Sequence, residues 1–160
     1  MYLYGMDVST LGESVVFIQL ALALVLGSLL GFERVVAGKE AGMRTFGLVS
    51  VGSCLFVIIG QIVTQQYAVV HNEVSFDPLR IASAIVQGIG FIGAGLIIFQ
   101  HELRGLTTAA VLWVASAIGV AVGFELYIIA LYTTFLSLFV LVGMWFVERY
   151  LQKHIPNRQH

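Results

Sequence analysis

Charge is what this sequence has least of. Asp, Glu, Lys and Arg make up 11% of its 160 residues, against about 25% in a soluble globular domain. That is too little to coat a water-soluble fold. Proline occurs twice and cysteine once, as Cys54. A single cysteine excludes an intrachain disulfide, and no Cys/His spacing suggests a metal centre. Between Gly52, Ser53, Leu55 and Phe56, Cys54 reads as a small buried residue rather than a redox centre. A net charge of -1 and a pI near 6.4 lack the basic excess of a nucleic-acid footprint. The first 13 residues hold Asp7 and Glu13 but no Lys or Arg, so they lack the positive region of a secretory signal peptide. The first apolar stretch is expected to be retained as a helix.

What the chain has is apolar length. Hydrophobic residues make up 59% of it, and the mean hydropathy is +0.95. Crossing a bilayer takes roughly 20 mostly apolar residues. Five such stretches are expected as helices, at about Ser14–Phe32, Thr45–Thr64, Pro78–Phe99, Leu106–Gly123 and Leu126–Val147. Asp77-Pro78 is a helix-start signature, with Asp as N-cap and Pro in the first helical position. The expected fold is an all-α polytopic membrane bundle. Residues 1–13 form an N-terminal segment outside, 14–147 a five-helix transmembrane domain, and 148–160 a short cytoplasmic tail.

Orientation follows from the few basic residues. With five spans, Arg34, Lys39, Arg44, Arg104, Arg149, Lys153 and Arg158 fall on one side, and only Arg80 on the other. The positive-inside rule makes that side cytoplasmic and the N-terminus external.

In lipid, small and polar residues mark the faces that pack against protein. The first helix has such a stripe at Gln19, Ala23, Gly27, Gly31 and Arg34. The second has Gly47, Ser50, Cys54 and Gln61, and the fourth has Gly119 and Gly123. The third has the richest: Arg80, Ser83, Gln87, Gly90 and Ala94. The fifth is bulky, with Thr134 and Ser137 as its polar pair. The expectation is a tight core of the first three helices with part of the fourth, and a peripheral fifth. Gly27, Gly31, Gly119 and Gly123 are expected as packing positions. So are Gly88, Gly90, Gly93 and Gly95 in the GIGFIGAG run, where a local break exposing carbonyls to a ligand is the alternative. The run lacks the preceding strand that a dinucleotide fingerprint needs.

Ionisable groups near a membrane are functional candidates by default. Glu33, Arg34, Arg44 and Arg104 would gather at the cytoplasmic side, either setting topology or binding a polar ligand. Asp77 and Arg80 are one helical turn apart and could pair. Gln87 lies too deep to snorkel and needs a hydrogen-bond partner. Catalysis finds no support, because His71, His101, His154 and His160 fall in expected loops or the tail, away from Ser83 and Ser116. The chain reads as a non-enzyme without a cofactor. Glu73 and Asp77 could help hold hydrated Mg²⁺ at the outer face, but no metal site is assigned.

Three segments in order, GFERVVAGKEAGMRTFGLVSVGS, DPLRIASAIVQGIGFIGAGLI and RGLTTAAVLWVASAIGVAVG, resemble the signature segments of the MgtC/SapB family of bacterial inner-membrane proteins. The resemblance covers about residues 14–147. The family pattern falls on Glu33, Arg34, Gly38, Gly42, Arg44 and Thr45, then on Asp77, Arg80, Gln87, Gly88, Gly90, Phe91, Gly93 and Gly95. It ends on Arg104, Gly105, Leu106, Thr107, Thr108 and Trp113. What the resemblance implies is a multi-pass inner-membrane domain of five spans. Family members are linked to magnesium limitation, intramacrophage survival and restraint of the F-type ATP synthase, and many carry a cytoplasmic C-terminal domain.

Two functions are compatible with these residues. A regulator would bind another membrane complex, or itself as a homodimer, through helix surfaces in the bilayer. A transporter or channel for an ion or small solute would bring Glu33, Arg34, Arg44, Gln87, Arg104 and Thr108 to one cavity. Their geometry discriminates the two.

Overall fold

A computed structural model of the chain describes residues 8–39, 41–70, 77–98 and 105–154. Five helices run in order: α1 Val8–Val36, α2 Met43–Val70, α3 Pro78–Ile98, α4 Leu106–Gly123 and α5 Tyr127–His154. No strand occurs among the described residues. Each helix contains a stretch long and apolar enough to cross a bilayer.

The helix ends are built from local chemistry. The α3 start is capped as the Asp-Pro pair predicts, with the Leu79 N–H donating to Asp77 Oδ1 at 2.9 Å. The carboxylate thereby satisfies a backbone donor that a helix start leaves unpaired. At the end of α1, Gly38 takes φ +70°, and the Gly38 and Lys39 N–H groups return to the Val35 and Arg34 carbonyls. That pair of bonds is a Schellman closure, with glycine in the left-handed conformation it favours. α4 closes the same way at Glu125, φ +62°, whose N–H and that of Leu126 reach the Val122 and Ala121 carbonyls. The turn to α5 is therefore only three residues long. α1, α2 and α5 each extend past their apolar stretch, because bilayer thickness limits the hydrophobic run and not the helix.

α4 touches all four other helices. Half of its span is buried (50%), against 33% for α1, 39% for α2, 17% for α5 and 11% for α3. The tight core is therefore α1, α2 and α4. This corrects the expected membership of α3, while α5 is peripheral as expected. The centre of the core is a node where three backbones approach. A Cβ on Gly27 of α1 would lie 2.6 Å from Ser50 Cβ and 2.7 Å from the Phe46 carbonyl oxygen. One on Gly119 of α4 would fall onto the Ser50 carbonyl oxygen. One on Gly31 would sit 2.6 Å from Met43 Cα, and one on Gly123 would sit 2.7 Å from Val57 Cβ. Lipid tails are as apolar as leucine, so helices in a bilayer gain little by hiding apolar surface from lipid, and close contact holds them together instead. Only a residue without a side chain permits these approaches.

Around the node, Leu30, Phe46, Cys54, Leu112, Ala115 and Val122 are fully buried. The polar groups inside are mostly partnered. Ser53 of α2 shares a 2.8 Å hydrogen bond with Ser116 of α4, and Gln19 Nε2 reaches the Val122 carbonyl at 3.4 Å. Thr134 satisfies itself by donating to the Ala130 carbonyl of its own helix at 2.8 Å.

Candidate functional site

The bundle alternates, so the end of α1 and the starts of α2 and α4 share one end. There, Arg34 is buried, 5% exposed, and its guanidinium pairs with the Glu33 carboxylate through Nε and Nη2. This is the one ion pair among the described residues. The pairing cancels the two charges beside the tight α1–α2 contact, where desolvation would make an isolated charge costly. Thr108, in the first turn of α4, is buried, whereas Arg44 and Thr107 are exposed and Thr45 is half-buried. Arg104 lies outside the described residues, as do Glu73, His71, His101 and His160. The structure thus brings Glu33 and Arg34 together and leaves Arg44 and Thr107 on the surface.

The remaining candidates lie on α3, beginning at the opposite end. Asp77, Leu79, Arg80, Ser83, Ala84 and Gln87 line a shallow surface depression of about 480 Å³. Asp77 caps the helix rather than pairing with Arg80. Gln87 was expected to find a buried partner. It is exposed, with no hydrogen bond among the described residues.

A larger cavity, about 710 Å³, opens between α2 and α3. Its walls are apolar or small, among them Val49, Gly52, Phe56, Ile85, Gly88 and Ile92. The Ser53 hydroxyl on its wall is already bonded to Ser116. None of Arg34, Arg44, Gln87 and Thr108 lines it.

The glycines divide in the same way. Gly27, Gly31, Gly119 and Gly123 sit at backbone contacts, whereas a Cβ on Gly88, Gly90 or Gly95 would meet nothing within 4 Å. One on Gly93 would reach only Ala109 Cβ, at 3.8 Å. The GIGFIGAG run is continuous α-helix, so the alternative of a local break exposing carbonyls is not what forms. Within this chain Gly88, Gly90 and Gly95 make no close packing contact and Gly93 only an ordinary one, and this differs from the packing role expected for these glycines. The Ser53–Ser116 bond went unread in the sequence. A signal was present, since Ser116, Gly119 and Gly123 recur on one face of α4.

Five bilayer-length helices around a glycine-tightened core define a multi-pass membrane protein. The profile described as "MgtC family" matches residues 20–150, and the chain belongs to that family. An uncharacterized protein of Haemophilus influenzae is 33% identical over 147 residues, covering 91% of this chain and 62% of its own. A protein of Escherichia coli K12 named "Putative magnesium transporter YhiD" is 42% identical over 127 residues, covering 78% of this chain and 58% of its own. Protein SapB of Bacillus subtilis is 32% identical over 145 residues, covering 89% and 61%. The chain thus spans about 60% of the length of these relatives. No solved structure matches it.

Proposed function

We propose that the chain serves magnesium homeostasis in the bacterial inner membrane as a regulator, acting by helix-surface contact with other membrane proteins and not by catalysis. The link to magnesium rests on the family and on the name of the E. coli relative. The F-type ATP synthase is the partner that the family resemblance suggests. The N-terminus lies outside and the C-terminus in the cytoplasm, on the strength of seven basic residues against one.

One observation carries the regulatory reading. Among the described residues the polar candidates do not converge on one cavity: Arg34 is held by Glu33, Arg44 is exposed at one end, and Gln87 shares only a shallow depression on α3 with Asp77 and Arg80. A transport path needs polar groups along a route through the bilayer, and the cavity between α2 and α3 is apolar. The transporter reading is favoured by the name of the E. coli relative alone.

The test pairs two assays. In a bacterial strain lacking its own family member, the chain is expected to restore growth under magnesium limitation. In proteoliposomes it is expected to leave Mg²⁺ entry at the rate of protein-free vesicles. Protein-dependent Mg²⁺ flux would establish the transporter instead.

A further inference from the structure

α3 is turned the wrong way round for a helix that ends at lipid. Ile81, Ile85, Ile89 and Ile92 occupy one side of it and line the cavity shared with α2; of the four, Ile89 is buried and Ile92 is partly exposed at the cavity's opening. The opposite side, by helical periodicity, carries Arg80, Ser83, Gln87, Gly90 and Ala94, and all five are exposed. A helix facing hydrocarbon ordinarily shows the reverse pattern, apolar out and small or polar in. Gln87 makes the mismatch costly. It lies nine residues into the helix, about 14 Å from its start, near the middle of a hydrocarbon core about 30 Å thick. Its amide cannot snorkel to water, and an unpaired amide in hydrocarbon is expensive.

We propose that this face of α3 is the contact between two copies of the chain, packed as a parallel two-fold dimer with Gln87 meeting Gln87. Three features select a second copy. A carboxamide carries both donor and acceptor, so two glutamines across a two-fold axis satisfy each other reciprocally. Gly90 and Ala94, four apart on the same face, let two identical backbones approach, as small-xxx-small pairs do. At the outer end, Asp77 and Arg80 carry opposite charges without pairing within the chain, so each copy offers the other a carboxylate and a guanidinium. This is the self-complementarity of an isologous contact. The other small-residue pairs, Gly27/Gly31 and Gly119/Gly123, are consumed inside the chain and are not free for it.

The inference depends on the bilayer-spanning fold and not on magnesium, so its test is separate from the growth and flux assays. The full chain is expressed in native membranes with Ser83→Cys or Ala94→Cys, and membranes are treated with a mild oxidant. Native Cys54 is fully buried, so the unsubstituted chain is the background control, and Phe135→Cys on the exposed face of α5 controls for random collision. Both α3 variants are expected to give a disulfide-linked species at twice the chain mass. Adding Gln87→Leu is expected to cut that species about fivefold or more, the range for a bilayer hydrogen bond of 1–2 kcal/mol, with the amount of membrane-inserted chain unchanged. The proposal is overturned if the α3 cysteines crosslink no better than Phe135→Cys. It is equally overturned if they link only to a different protein, or if Gln87→Leu leaves the dimer intact.

Discussion

In α1, the small and polar positions Gln19, Ala23, Gly27, Gly31 and Arg34 are all buried, whereas in α3 the matching series Arg80, Ser83, Gln87, Gly90 and Ala94 is wholly exposed. The two stripes have the same spacing and similar chemistry, and they differ in what stands opposite. α1 meets α2 and α4 so closely that Gly27 touches Ser50 and Gly31 touches Met43. α3 leans on its neighbours through isoleucines and leaves open space over Gly88, Gly90 and Gly95. A small-polar stripe in a membrane helix therefore says that protein belongs against it, without saying whether that protein is the same chain.

The comparison can be broken most severely at Gly119. Its replacement by Leu forces a side chain onto the Ser50 backbone, where nothing flexible can yield, and no stably folded protein should be recovered in detergent extracts. Gly31→Ala should be milder. The added methyl meets Met43 Cα at 2.6 Å, and overpacking of this kind costs about 1–3 kcal/mol, readable as a lowered midpoint in thermal unfolding. Ser53→Ala should cost about 1 kcal/mol, because it leaves the buried Ser116 hydroxyl without its partner. The Ser53→Ala/Ser116→Ala double variant should recover much of that loss, since neither hydroxyl is then stranded. Additive losses would show that the two serines do not interact. The smallest effect belongs to Gly95→Ala, which should stay within a few tenths of a kcal/mol, or stabilise slightly through helix propensity.

Much of the architecture was legible before the structure. Five apolar runs gave five helices, and Asp77-Pro78 marked the start of α3 to the residue. The α1 stripe read as a packing face, and it is one. Membership of the core was not legible. α3 has the richest single small-polar stripe and proves the least buried helix, while α4, whose Thr, Ala, Ser and Gly residues are spread around the helix, is the hub. The reason is physical. A glycine permits close approach but does not choose the backbone that approaches, and that choice depends on how all five helices fit together. The candidate site was legible only locally. Glu33 and Arg34, adjacent in sequence, do pair, but residues distant in sequence, such as Arg34 and Gln87, are not drawn to a common cavity.

The most direct test of the division between an α1–α2–α4 core and an outlying α3 is the thermal unfolding of Gly119→Ala beside Gly88→Ala in one detergent. A methyl on Gly119 strikes the Ser50 carbonyl, and one on Gly88 meets nothing. At roughly 2–4 °C per kcal/mol for a chain of this size, and a loss near 3 kcal/mol, Gly119→Ala should melt about 6–12 °C below the unsubstituted chain. Gly88→Ala should melt within about 2 °C of it. Equal losses at both positions, or a larger loss at Gly88, would contradict this account and place α3 in the core.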